Sequence, residues 1–564
     1  MVAEVYKPTF IELYTPKLVT VLRERYRLTD LKADVAAGLT VSIVALPLSM
    51  AIAIASGVPP ERGLTTAVVG GFFVSLLGGS RFQIGGPAGA FIVLVAAAVQ
   101  QLGVDAVIWA TLLAGLILIA VGFLRLGTFI KYIPYPVTVG FTSGIATIIA
   151  ASQLKEALGL TLAGPEPGPF LPKLAALAHA LPTFSPGAAD VTALTVVIIL
   201  LVRRFRPHWP SLLIAVVLAS LFAWLLNLPV ATIGSRFGGI PRTLPMPHLP
   251  ALSIDRLPEI LPTAFSFALL GGIESLLSAV VADSMTGRRH RSNAELVAQG
   301  CANLASALFG GICVTGTIAR TATNVRAGAR GPVAGMLHAA FLLLIMIVFA
   351  PLARYIPLAA LAGVLLLVAW NMAERAAFVT LVRASRGDAA VLLATFLLVV
   401  FRDLTEGILI GVGLGAFLVL HRMAQAAAVE HRPLFDEDRA DSLDGETRQP
   451  YDAELVSDPD VVVYRISGAF FFGTAAGIAA ALDRTGDRPK AYVIDFSAVS
   501  MIDSTAAVTI ESFVHKAQRR RAYVNISGAS PAVRRTLDAH GIQEPLVHFC
   551  ETPGDALRTA PETQ

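Results

Sequence analysis

Charge is scarce in this chain. Asp, Glu, Lys and Arg make up 15% of its 564 residues against 55% hydrophobic residues, and the mean hydropathy of +0.68 lies outside the range of soluble globular proteins. Cysteine is scarcer still: Cys301, Cys313 and Cys550 show no metal spacing and no obvious pairing, which argues against a zinc site or a disulfide framework. No Walker-type phosphate loop occurs, so transport driven by ATP is not expected. Nor is there a nucleophile and base pair or a metal set, so the reading is a protein that is not an enzyme, with no catalytic residues, metal, cofactor or nucleic-acid partner. The opening residues, MVAEVYKPTF, lack the basic start and apolar core of a cleavable signal, so the first span is expected to be retained.

What is present is a long series of apolar runs. A bilayer crossing needs roughly 20 such residues, and the runs recur from about residue 31 to about 422, which indicates an α-helical polytopic membrane protein. Pattern reading gives fourteen segments: 35–57, 64–79, 87–102, 106–124, 135–152, 190–202, 211–227, 262–281, 295–311, 318–327, 333–352, 358–373, 388–401 and 407–421. Several are too short to cross alone. Basic residues gather in alternate loops: Lys17 to Arg27, Arg125 and Lys131, Arg203 to Arg206, Arg288 to Arg291, Arg326 and Arg330, Arg375 to Arg386, and Arg422. By the positive-inside rule those loops and both termini are cytoplasmic, in a bacterial inner membrane. The opposite loop around 227–250 carries several prolines and reads as ordered loop rather than helix.

The chain repeats itself. Gly78 and Gly310 open Gly-Gly pairs 232 positions apart, and YIPYPVTVG at 132 matches YIPLAALAG at 355, 223 positions on. Seven segments precede residue 230 and seven follow, and an odd number forces the halves into opposite orientations. This is the 7+7 inverted-repeat plan of secondary transporters, whose sites lie near the midplane where interrupted helices meet. Chance resemblance between glycine-rich helices is the competing explanation.

Two stretches look like helices that begin inside the membrane. Gly85, Gly86, Pro87 and Ala88 open the third segment, with proline expected near the first helical position; Thr315, Gly316 and Thr317 open the tenth. A helix start presents free N–H donors and about half a positive charge, and inverted symmetry points two such starts at one another across a small anion. Irregular backbone at that depth needs surrounding protein or a wet cavity. For one such stretch alone, a kink or close helix contact is the simpler reading. Arg320, beside Ala319 and Thr321 in the first turn of the tenth helix, adds a forked cation suited to carboxylate or sulfate; snorkelling or a permanent pairing with Glu274 is its structural alternative. Glu274, among apolar residues in the eighth segment, is expected to be protonated or neutralised by a cation, which suits coupling to H⁺ or Na⁺. Pro47 breaks the first segment, and Ser49 offers a polar contact beside the half-helices.

These residues resemble the SulP family of anion transporters, which includes animal sulfate permeases and prestin. The resemblance runs through PLSMAIAIASGVPPERGLTTA, GGSRFQIGGPAGAFIVLV, GGIESLLSAVVADSMTGRRHRSNAELVAQGCANLASALFGG and IARTATNVRAGA. Within the family the motif wording is most similar to enterobacterial C4-dicarboxylate carriers, so succinate or fumarate is the leading expected substrate, with bicarbonate and sulfate next. The resemblance implies a core of segments 1–4 and 8–11, a gate of segments 5–7 and 12–14, a homodimer, elevator-like movement of the core, and substrate between the third and tenth helices. Many members have Pro-Gln-Ser where this chain has Pro47, Leu48 and Ser49, and animal members often have Ser-Arg where it has Ala319 and Arg320.

After the transporter region, expected over 31–428 behind an N-terminal segment 1–30, comes a polar, acidic stretch, 429–458, read as a tether. From 459 to 555 short strands alternate with amphipathic helices. This small cytoplasmic α/β domain resembles the STAS domain, with a tail over 556–564. Ser504 or Thr505 is expected to cap a helix; the alternative is a regulatory phosphosite or a docking point for a cytoplasmic protein.

Overall fold

The computed structural model describes residues 9–128, 133–164, 166–206, 209–251, 254–431, 461–482 and 489–558, in two compact units, Met1–Gly415 and Ala416–Gln564. All fourteen expected segments are helical: α1 (Leu28–Ala55), α2 (60–77, through a π-helical turn Thr66–Gly70), α3 (Gly89–Leu102), α4 (Val104–Phe123), α5 (Tyr135–Leu158), α6 (Pro186–Phe205), α7 (Ser211–Leu225), α8 (Leu257–Thr286), α9 (Ser292–Leu308), α10 (Ile318–Arg326), α11 (Val333–Ala353), α12 (Leu358–Met372), α13 (Arg386–Phe401) and α14 (Leu404–Gln425). Among the described residues, seven helical stretches are long and apolar enough to cross a membrane alone, α12 counted together with Arg375–Ala384 that follows it. Short helices Phe10–Tyr14, Lys17–Arg23, Phe170–His179, Ile233–Phe237 and Arg375–Ala384 decorate them. The loop around 227–250, expected to lack helix, contains one of these.

The first seven helices and the second seven are related as the repeat predicts. Pro134 and Pro357, 223 positions apart, are the N-caps of α5 and α12, where a fixed φ and no free N–H suit a helix start. Gly140 and Gly363 share that offset. A Cβ on Gly140 would lie 2.6 Å from the Leu392 carbonyl and 3.1 Å from Thr395 of α13, and one on Gly363 would lie 3.1 Å from the Thr192 carbonyl and 3.2 Å from Thr195 of α6. The same close helix crossing is thus built twice, with partners exchanged between halves.

Helices α1–α4 and α8–α11 pack largely on one another, and α5–α7 and α12–α13 on one another. The most extensive packing in the first group joins α4 to α9, where a Cβ on Gly115 would meet the Gly300 carbonyl at 2.7 Å. On the surface of the same group, the Lys17 N–H donates to the Gly78 carbonyl (2.9 Å). Its half-buried ammonium lies near Arg291 and Arg81, and burial first, then those guanidinium groups, lower its pKa to about 8.

In the second unit β3 (Ala428–His431) runs antiparallel to β4 (Val461–Phe470), and β5 (Ala491–Ile502), β6 (Tyr523–Ser527) and β7 (His548–Cys550) follow in parallel, in the order β3-β4-β5-β6-β7. Helices α15 (Phe472–Leu482), α16 (Ser504–Arg519), α17 (Pro531–Ala539) and α18 (Pro553–Arg558) complete it. Ile466, Ile494, Phe496, Ile510, Val514 and Leu537 fill its core. Two corrections follow. Residues 429–431, expected in the tether, extend the sheet by pairing with β4; the remainder of that stretch, 432–458, lies outside the described residues. Residues 556–558, placed in the tail, belong to α18.

Candidate functional site

Two extended dipeptides meet in the middle of the first unit. β1 (Gly85–Gly86) pairs antiparallel with β2 (Thr315–Gly316), Gly85 opposite Gly316 and Gly86 opposite Thr315. An antiparallel pair sends the two following chains in opposite directions, so α3 and α10 start back from this point with their N-termini beside it. Neither start receives a side-chain cap. Thr317 stands at the N-cap of α10, yet its hydroxyl donates to the Ile84 carbonyl (3.2 Å). The first N–H groups of both helices, at the positive end of each helix dipole, thus have no capping side chain among the described residues.

Pro87, expected at the first helical position, instead precedes the N-cap Ala88, because the strand pairing draws the chain out for two residues longer. That frees the Pro87 carbonyl, which accepts from Arg320 Nη2 (3.3 Å). The same nitrogen donates to Ser49 Oγ (3.0 Å), and Ser49 in turn donates to the Ala45 carbonyl (2.7 Å), past Pro47, where α1 continues as a helix and does not break as expected. Arg320 is 1% exposed, and among the described residues its Nε and Nη1 have no partner. Of five guanidinium N–H groups, three therefore remain to be satisfied in a place where an unpaired donor is costly. A Cβ on Gly86 would lie 2.2 Å from Arg320 Nη1, so only glycine lets the guanidinium lie over the strand.

The frame around these atoms is polar and was not foreseen. Ser275 Oγ lies 2.7 Å from Thr315 Oγ1 and accepts from the Gly316 N–H (3.1 Å); Gln83 Nε2 donates to the Ser275 carbonyl (3.1 Å). Ser278, one turn along α8, donates to Thr321 Oγ1, which also accepts from the Ile84 N–H. Thr321 is thereby occupied in holding the strand. Asn303 of α9 grips Val314 through both its backbone groups, at 2.8 and 3.0 Å. The signal available in sequence was Gly271, Ser275 and Ser278 on one stripe of α8, at spacings that share a helix face.

Glu274 lies on α8, with Oε2 buried and, among the described residues, without a hydrogen-bond partner. The permanent pairing with Arg320 considered from sequence is not formed: the guanidinium's protein partners are Ser49 and Pro87. Ala319 and Ile318 at the start of α10 are exposed, and beside Gly89 stand Met372 of α12 and Ile149 of α5, 3.4 and 3.8 Å from where its Cβ would be. The uncapped start of α3 thus borders the second helix group. In the C-terminal unit the cap of α16 is Asp503, which accepts from the Ala506 N–H (2.9 Å) and the Phe472 N–H (2.9 Å). Ser504 and Thr505, expected to cap, are its first two helical residues and are exposed.

Residues 31–395 match the sulfate permease family and residues 452–556 the STAS domain. A putative sulfate transporter, YvdB of Bacillus subtilis, is 38% identical across 92% of this chain and 95% of its own length. The bicarbonate transporter BicA of a Picosynechococcus strain is 31% identical over 90% of each. The transmembrane domain of a cyanobacterial BicA superposes with a TM-score of 0.61 at 32% identity, covering 69% of this chain and 98% of that one. The murine Solute Carrier 26 family member A9 anion transporter, in an inward-facing state, shares the fold over 99% of this chain and 96% of that one, with a TM-score of 0.84 at 18% identity.

Proposed function

The chain belongs to the sulfate permease family of multi-pass anion transporters and ends in a STAS domain, and from that premise we propose that it is a secondary carrier holding one small oxyanion between the starts of α3 and α10. The observation that carries this reading is Arg320, buried at two uncapped helix starts with three N–H donors unfilled. A bound oxyanion accepts from those donors and from the first backbone N–H groups of each helix, and its charge offsets the desolvation of the guanidinium. Gly85, Gly86, Pro87, Ala88, Thr317 and Ala319 supply the backbone of this cradle, while Ser49 and Thr321 hold it in shape.

Among inorganic oxyanions, sulfate and bicarbonate take precedence, since the relatives described above are named for them. The C4-dicarboxylates favoured by motif wording have no counterpart among those relatives and stand third. Glu274 is the proposed coupling residue for inward H⁺ or Na⁺ symport: a buried carboxyl oxygen with no protein partner is stable only when it holds a proton or a cation. Movement of α1–α4 and α8–α11 as a body against the other helices, in a homodimer with both termini cytoplasmic, completes the proposal. The exposed Ser504 and Thr505 offer a place for phosphorylation or for a cytoplasmic partner.

Uptake of radiolabelled sulfate, bicarbonate, succinate and fumarate into proteoliposomes, at two pH values with and without Na⁺, tests it. Accumulation of one of the four that follows an imposed ion gradient is expected. Binding without accumulation of any of them would assign the membrane unit to sensing instead.

A further inference from the structure

A cavity of about 860 Å³ lies between α1, α7 and α11, walled by Leu46, Pro47 and Met50 of α1, Val217 and Trp224 of α7, and Phe349 of α11. It is apolar almost throughout. Along α1 it runs from Leu39 to Met50, a rise of about 16 Å at ~1.5 Å per residue, which is close to half the ~30 Å hydrocarbon thickness of a bilayer. That is the depth of one leaflet.

A second cavity, about 490 Å³, shares Ile240 and Ala350 with the first. Its character is opposite. Arg242 and Arg354 line it together with Gly238 and Gly239, and no carboxylate does. Among the described residues neither guanidinium is paired with an acid. Backbone bonds tie the segment that leads to Arg242 to the one that carries Arg354: the Gly234 N–H donates to the Arg354 carbonyl (2.8 Å) and the Ile233 N–H to the Ile356 carbonyl (2.9 Å). Gly238 and Gly239 turn the chain with φ of 78° and 123°, in the left-handed region that side chains avoid, and a Cβ on either would meet nothing within 4 Å, so the space before the arginines stays open.

The two cavities form one amphipathic site, a leaflet-deep apolar slot with two unpaired cations at its mouth. We propose that this site binds an anionic phospholipid, its acyl chain in the slot between α1, α7 and α11 and its phosphate on Arg242 and Arg354. The mouth, lined by Ala350, Pro351 and Arg354, stands at the C-terminal end of α11, whereas the basic cluster 326–330 precedes the N-terminal end of that helix, as 203–206 precedes that of α7. The lipid therefore comes from the leaflet remote from those clusters. Paired guanidinium groups fork onto phosphate oxygens, and the absence of a lining carboxylate leaves nothing to receive the ammonium of a zwitterionic headgroup. The site also has leverage: Pro47, in its wall, is two residues from Ser49, which holds Arg320, while the opposite wall, α7, belongs to the other helix group.

Delipidated full-length protein in detergent, given phosphatidylglycerol, phosphatidylcholine of the same chains, or glycerol 3-phosphate, tests this by native mass spectrometry and melting temperature. Phosphatidylglycerol is expected to be retained at about tenfold lower concentration than phosphatidylcholine and to raise the melting temperature, while glycerol 3-phosphate does neither. Arg242→Gln with Arg354→Gln should remove the preference, and Ala350→Phe should weaken retention of both lipids. Equal retention of the two lipids by the unaltered protein overturns the proposal, as does an undiminished preference in the double variant. Protection by glycerol 3-phosphate equal to that by phosphatidylglycerol would also overturn it, by making the arginines a site for soluble anions. The melting temperature of each variant without lipid separates loss of binding from loss of fold.

Discussion

Arg320 of the second repeat donates through Nη2 to Ser49 of the first at 3.0 Å, so the one fully buried guanidinium among the described residues is aimed by the opposite half of the chain. Ser49→Ala removes that contact without removing the charge, and a hydrogen bond to a charged group contributes about 1.5–3 kcal/mol. Anion affinity measured by calorimetry should fall roughly tenfold or more in Ser49→Ala. In Arg320→Ala it should be lost or shifted to another anion. Unchanged affinity in Arg320→Ala would remove the basis of the proposed function.

Gly86→Ala tests the site from its other side. The added Cβ would come within 2.2 Å of Arg320 Nη1, so the guanidinium must swing away while the charge count stays the same. Transport should fall to near that of Arg320→Ala, with the melting temperature changed far less than activity. Normal uptake by Gly86→Ala would mean that the guanidinium need not lie over the strand.

Glu274→Gln should leave anion binding measurable and remove the dependence of uptake on the driving ion, because a neutral amide of the same shape neither takes a proton nor attracts Na⁺ strongly. The check is uptake against imposed pH and Na⁺ gradients. A wild-type gradient dependence in this variant would transfer the coupling role to another residue.

Lys17 gives a prediction about stability. Its pKa is lowered to about 8 from 10.5 by burial and by Arg291 and Arg81, so the folded state disfavours its charge. Below about pH 8 both folded and unfolded forms are protonated and the penalty is fully present; between about 8 and 10.5 the unfolded form binds the extra proton, and stability rises with pH. Lys17→Met should raise stability near pH 7 by about 1 kcal/mol, an allowance for a half-exposed group screened by solvent, and should flatten this rise. Thermal melts at pH 7 and pH 9.5 provide the measurement, and an equal rise in both proteins would contradict it.

Much of the membrane unit was legible in sequence because hydrophobic length and glycine punctuation are local signals. The fourteen segments, the breaks before Gly89 and Ile318, and the paired offsets of Pro134 with Pro357 all rest on such signals. The polar frame was not legible. Gln83, Ser275 and Asn303 act by reaching backbone groups elsewhere in the fold, and Ser278 by reaching the Thr321 hydroxyl; no periodicity reports which distant group a serine will face. Pro87 was misplaced for a related reason: a two-residue strand pairing, invisible to any window, displaced the helix start. The strand Ala428–His431 was likewise hidden, since four residues carry too little pattern to outweigh an acidic neighbourhood.

The stitch between Gly85–Gly86 and Thr315–Gly316 limits how the proposed cargo would leave. Prying the two repeats apart at that seam would strand peptide groups in a dry interior and tear Gln83 from Ser275 and Ile84 from Thr321. For the oxyanion proposed to sit there, release by uncovering the closed hand is less costly than release by opening its fingers.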